Sequence, residues 1–418
     1  MRSATVAPTP PAAAAPAAPA APAAPAAPAA PAALPNAYEP FDAEYCRTLE
    51  REILGPVTQR YFRATVIGAE RIPREGPVIL AANHSGNALP HDGIVLDALL
   101  WQLDGLDPKR KIRTLYESEL AQVWWMRPFG LDNWWRRAGG VDMTFDNFER
   151  LILRGERILY FPEGVPGIGK GFNRRYELQP FKTSFALLAA RHDVPVLPVY
   201  IINAEWVHPF GYTFPALDRV MQRTFHVPFL PLPIGLLAVV FPWMWYLAFP
   251  AHMIFVVGEP VNVRALGRAE GVSTFGRPDR HQLSCVAAAI RRRMQRELDR
   301  LVRVYGRRPY DVRSLAASLG DAHEHHRSVL PWSWPVRYIR HARDRVRPRA
   351  RGRLRSLLRD WDLLGFYLPF GWPFLTLTRR LRRPPYGYRG VPRAVRRELT
   401  GEFVWRLSER PLPPRSSN

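Results

Sequence analysis

The chain has 418 residues, 47% of them hydrophobic and 12% aromatic, which excludes a wholly disordered protein and leaves room for one large domain or two ordinary ones. The net charge of +22 points to an anionic partner, either nucleic acid or an anionic membrane surface. The excess is localised. Up to Val263 there are 24 Lys and Arg against 24 Asp and Glu; from Arg264 onward there are 35 Arg, no Lys and 13 acids. A neutral body beside an Arg-rich C-terminal part is the pattern of a catalytic domain with a surface-attachment region. Cys46 and Cys285 lie far apart and in no metal-like or redox-like spacing, which argues against a disulfide framework and for a reducing compartment.

In chain order, residues 1–36 are a Pro/Ala repeat. Frequent proline removes backbone donors and blocks helix, so a disordered or polyproline-like tether is expected, with no Leu-rich core of the secretory kind. Phe41, Tyr45, Leu49, Ile53 and Val57 recur at helical spacing over 41–63. Strands are expected at 64–68, 78–82, 111–116, 157–161, 194–202 and around 255–261, and helices at 93–103, 146–153, 184–191 and 281–305. This alternation predicts an α/β fold with a mixed, largely buried central sheet flanked by helices, followed by a helical, basic C-terminal extension. The domain plan is 1–36 tail, 37–305 catalytic domain, and 306–418 as an Arg-rich, aromatic extension.

Between Arg223 and Glu259 there is no charged side chain, and prolines interrupt the apolar run. A re-entrant or interfacial membrane segment is the leading reading of 223–258; a membrane span and a buried helix pair are the alternatives. The apolar, aromatic stretch 361–377 is flanked by arginines, which suits an anionic bilayer surface. His323, His325 and His326 resemble a metal cluster but sit in a polar surface stretch, and no metal site is expected.

The chemistry is expected at the exit of the strand 78–82, where the loop Asn83-His-Ser-Gly-Asn-Ala-Leu-Pro-His-Asp92 carries two histidines and an aspartate. A buried strand that delivers a His and a carboxylate to its exit is a common way to build a general base. His84 with Asp92 is the preferred pair; His91 is the rival base.

These residues, with Ile72-Pro73 and Gly76-Pro77 before them, resemble the phospholipid/glycerol acyltransferase family. The resemblance continues through Phe161-Pro162-Glu163-Gly164, Phe181-Lys182-Thr183, Val194-Pro195 with Pro198-Val199, and Gly258-Glu259-Pro260, in the family's order over about 60–262. It implies transfer of a fatty acyl group from acyl-CoA or acyl-carrier protein to a lysophospholipid or glycerol-phosphate-type hydroxyl. His84 and Asp92 are then the catalytic pair, with Phe161, Pro162, Glu163, Gly164, Lys170, Arg174, Arg175 and Lys182 as substrate-binding candidates. No cofactor beyond the acyl donor is implied. Two departures stand out. Seven residues separate His84 from Asp92, where the common pattern has four, and Ala138–Thr144 lacks the Arg with which the second motif binds an acceptor phosphate, although Arg136 and Arg137 precede it. The expected location is the cytoplasmic face of the cell membrane, peripheral or monotopic. The alternative is a non-enzymatic protein that binds an anionic surface, lipid or nucleic acid; the lack of any nucleic-acid signature disfavours the latter.

Overall fold

The computed structural model of the protein describes residues 41–85, 89–117, 134–225, 229–272, 279–320, 329–344 and 358–381. The Pro/Ala tail, Trp124, Trp125, the three histidines of 323–326 and the arginines of 345–357 and 382–383 lie outside these ranges.

Seven strands form one sheet in the order β1 (Thr65–Ile67), β9 (Ile254–Val257), β6 (Val196–Ile202), β2 (Val78–Ala82), β5 (Arg157–Tyr160), β3 (Arg113–Tyr116), β4 (Val141–Asp142); β7 (Gly211–Tyr212) and β8 (Leu232–Pro233) make a separate hairpin. β6, β2, β5, β3 and β4 are mutually parallel, while β9 runs antiparallel to β6 and carries β1 parallel to itself. The mixed, buried sheet is the one the sequence predicts. Sequence periodicity did not reveal β4, because two residues are too few to show alternation.

The helices used below are α1 (Ala43–Leu49), α2 (His91–Leu103), α3 (Phe145–Leu153), α4 (Ser184–His192), α5 (Ile234–Val240), α6 (Arg280–Tyr305), α7 (Trp334–Asp344) and α8 (Trp372–Leu381). Every residue of β2 is buried, because alternate side chains feed two different cores. Val78, Leu80 and Ala82 join Val95, Leu96 and Leu99 of α2 on one face. Ile79 and Ala81 join Phe148 of α3, Phe185 and Leu188 of α4, and Val286, Ile290 and Leu298 of α6 on the other. The first face also takes in Val329, Trp334, Ile339, Phe366 and Leu375, so side chains from 329–375 complete the layer over β2.

The charge-free stretch breaks into short pieces. α5 has seven residues, a 3-10 turn follows at Pro242–Tyr246, and among the described residues no helix is long and apolar enough to cross a membrane. Some C-terminal arginines are also committed internally. Arg340, Arg343 and Arg359 converge on the buried Asp360, and Arg343 also binds Asp362.

The helix that begins as α1 continues through π-helical turns, which bury Glu50 beside Gln102 and Lys111. Burial raises the Glu50 carboxyl from 4.5 to about 7. The native state therefore binds this proton more tightly than the unfolded chain. Its stabilising contribution is complete below about pH 4.5 and is lost as pH rises through about 7. Glu50→Gln, which keeps the oxygen that accepts from Gln102, is expected to raise stability at pH 8 by up to about 3 kcal/mol and to change little at pH 4, read by denaturant melts at the two pH values.

Candidate active site

β2, β5 and β6 are neighbours and parallel, so their carboxyl ends open at one edge, where open α/β sheets place their ligands. Asn83 holds that edge. Its Nδ2 donates to Ile201 O at 3.1 Å and its Oδ1 accepts from Ile201 N–H at 2.7 Å, spanning from β2 to β6 in place of a ladder bond.

His84 follows at once. Its Nδ1 lies 2.8 Å from Asp92 Oδ2. A carboxylate accepts only, so Nδ1 carries the hydrogen and Nε2 is the lone-pair nitrogen. Among the described residues, Nε2 has no hydrogen-bond partner. Asp92 is fixed by more than the imidazole: Ser85 N–H donates to its Oδ2 at 2.7 Å and Gly93 N–H to its Oδ1 at 2.8 Å. It sits in the first turn of α2, where the helix dipole favours negative charge. Because α2 begins at His91, Asp92 is turned back to the exit of β2, and the long loop spacing separates the pair in sequence only.

His91 points elsewhere. Its ring lies 5.3 Å from His208 and 5.7 Å from Trp334, and among the described residues neither nitrogen finds a partner. Burial first, and the neighbouring His208 second, hold its pKa well below the ordinary value.

The second strand exit supplies the floor. The Phe161 ring stacks under His84 with centroids 4.2 Å apart. Pro162 O accepts from Lys182 N–H at 2.9 Å. Glu163 is 0% exposed, and both of its oxygens hold backbone: Oε1 accepts from His84 N–H at 2.8 Å and Oε2 from Gln179 N–H at 2.7 Å. Gly164 has φ +57 and ψ −146, a region left to glycine. Gly167 is wedged so that an added Cβ would stand 2.6 Å from Glu163 Cβ and 2.9 Å from His84 Cβ.

The basic candidates divide. Arg175 is exposed, with its guanidinium 4.8 Å over Phe172, and Lys182 is exposed beside Gly164. Arg174 is half-buried and donates to Lys170 O at 3.0 Å. Lys170, a substrate-binding candidate by resemblance, is turned inward. It is 2% exposed, with Nζ 3.6 Å from Glu205 Oε1 and 3.9 Å from Glu163 Oε2. Glu205, at the exit of β6, was not found from the sequence; its one signal is a carboxylate just after seven apolar strand residues. Burial raises its pKa, and the nearby Lys170 partly offsets this. In the second-motif region, Arg136 is bound to Asp142 and to the Tyr116 hydroxyl. No group of three His, Cys, Asp or Glu among the described residues is placed to hold a metal ion.

Residues 63–202 match the family model described as Acyltransferase. The matched segment carries the strand exits that hold His84, Asp92 and Glu163. An uncharacterized protein of Mycobacterium tuberculosis is 30% identical over 230 residues, covering 53% of this chain and 58% of its own length. One from Mycobacterium leprae is 29% identical over 230 residues, covering 53% and 57%. The chain thus spans somewhat over half the length of these curated relatives. The crystal structure of the 1-acyl-sn-glycerophosphate acyltransferase PlsC from Thermotoga maritima aligns with TM-score 0.33 and 18% identity, covering 60% of this chain and 82% of that one.

Proposed function

We propose that this chain is a membrane-associated O-acyltransferase that moves a fatty acyl group from acyl-CoA or acyl-carrier protein to the hydroxyl of a lysophospholipid or glycerol-phosphate-type acceptor. The observation that carries the reading is the His84–Asp92 pair at a sheet edge, with Nε2 unengaged among the described residues, inside an acyltransferase-family segment. An alcohol is a poor nucleophile until a base takes its proton. Nε2 of neutral His84 accepts that proton as the hydroxyl oxygen attacks the thioester carbonyl carbon. Asp92 stabilises the imidazolium that forms and fixes the tautomer. Collapse of the tetrahedral intermediate breaks the carbon–sulfur bond, and the imidazolium returns its proton to the departing thiolate. The acceptor hydroxyl is the nucleophile, so no acyl-enzyme is required. Arg174, Arg175 and Lys182 are suited to phosphates of either substrate.

Membrane attachment, which we place at the cytoplasmic face where the donors are found, is supported by exposed apolar side chains on two segments that are hydrogen-bonded to each other. α5 is tied to the C-terminal segment, since Phe370 N–H donates to Val240 O and Trp372 Nε1 to Ala238 O. Leu236, Leu237 and Val239 of α5 and Leu364, Leu368, Phe370 and Leu377 beyond it are all exposed. Exposed apolar side chains of this kind, on two joined segments, fit insertion into a lipid interface.

The test is acyl transfer by purified protein to lysophosphatidic acid, glycerol 3-phosphate and neutral lysolipids, with both donors; no transfer to any of them overturns the reading. Separately, Leu237→Glu with Phe370→Glu is expected to lower flotation on anionic vesicles by about tenfold or more, since each replaces apolar contact worth about 1.5–3 kcal/mol. Unchanged flotation removes this face as the contact.

A further inference from the structure

We infer that Lys170 is a positioning residue for the catalytic histidine, acting through Glu163, with Glu205 as its second anchor. The inference rests on the acyltransferase reading above and assigns a task to a lysine that the resemblance presents as a substrate-binding candidate.

The argument starts from what Lys170 touches. Its ammonium lies within ion-pair distance of two carboxylates, at 3.6 Å from Glu205 and 3.9 Å from Glu163, yet within hydrogen-bond distance of neither. It therefore acts on them by charge. Both carboxylates are buried as deeply as the lysine. A buried carboxylate without a counter-charge is driven to take up a proton or to move toward water.

Each carboxylate is a joint between elements. Glu163, at the exit of β5, holds His84 N–H at the exit of β2 and Gln179 N–H at the far end of the same loop. Glu205, at the exit of β6, accepts from Tyr176 N–H at 3.3 Å in that loop. Lys170 stands mid-loop between them, so one cation fixes three neighbouring strand exits and the backbone of the base. Glu163 accepts the His84 N–H most strongly as a carboxylate, the state that Lys170 favours. The loop cannot relax freely around a change here, because Gly167 already sits against the Cβ atoms of Glu163 and His84.

A positioning role and a phosphate-binding role separate in kinetics. Loss of positioning lowers kcat for every acceptor with little effect on KM, whereas loss of a phosphate contact raises KM for phosphate-bearing acceptors alone. In the full-length enzyme, Lys170→Met is expected to lower kcat about 10–100-fold with acceptor KM within about threefold, and Lys170→Arg is expected to recover much of the loss. Wild-type kcat in Lys170→Met, or a raised KM confined to phosphate-bearing acceptors, overturns the inference. If Lys170→Met shows no cooperative melt, Glu205→Gln decides. It keeps an oxygen to receive Tyr176 N–H and removes the charge, so a fall in kcat of about threefold or more at constant KM supports the inference and an unchanged kcat overturns it. Wild-type protein assayed in parallel separates the two readings. Inactive wild type defeats the acyltransferase reading, while active wild type with insensitive variants defeats only this inference.

Discussion

His84→Ala is expected to lower acyl transfer by about 10²–10⁴-fold while leaving the melting temperature and vesicle flotation close to wild type. The ring's contacts are few: a hydrogen bond to Asp92 and stacking on Phe161. The backbone N–H that binds Glu163 survives in alanine. The loss is thus chemical, and it should appear in kcat for every acceptor. Asp92→Asn should reach a similar depth by another route. An amide can offer its N–H to Nδ1, which moves the imidazole hydrogen to Nε2 and leaves no lone pair for the acceptor. Transfer that persists in purified His84→Ala would sink the base assignment.

Gly167→Ala should be nearly as damaging, although residue 167 carries no chemistry. A methyl group there would stand 2.6 Å from Glu163 Cβ and 2.9 Å from His84 Cβ, and neither atom is the loose end of a flexible side chain. Either the short helix Val165–Ile168 shifts outward, or the base and its clamp move apart. Overpacking of this kind costs about 1–3 kcal/mol of stability. A displacement of about 1 Å at a reacting group can cost about 10²-fold in rate. We expect both, read as a lowered denaturation midpoint and a fall in kcat. Full activity in Gly167→Ala would show that the His84–Glu163 spacing is not critical.

Much of this architecture was legible in the residues because the central strands are buried on both faces. Val78–Ala82 and Val196–Ile202 read as unbroken apolar runs, which only a covered sheet explains. His84 and Asp92 were legible as a pair because a polar loop at a strand exit has few other uses. The direction of side chains was not legible. Lys170 belongs to a basic loop in which Arg174, Arg175 and Lys182 look the same in sequence, and only the fold turns one of the four inward. Glu205 was passed over because its partner lies 35 positions away and no periodicity links them. The C-terminal arginines were read as surface charge from composition, but composition does not show that Asp360 and Asp362 bind several of them internally.

Trp334 shows how far beyond the sheet in sequence the layer over β2 is finished. Its ring packs against Tyr61, Phe62 and His91, the residue next to Asp92, and Phe366 and Leu375 fill the same layer. During synthesis the strands carrying His84 and Glu163 leave the ribosome well before these side chains exist. The nascent chain is therefore expected to stay incomplete, with the α2 side of its sheet unroofed, until residues 329–375 have been made. On the function proposed above, competence for catalysis and for lipid contact would then arrive together, because the segment that finishes this layer also carries Phe370.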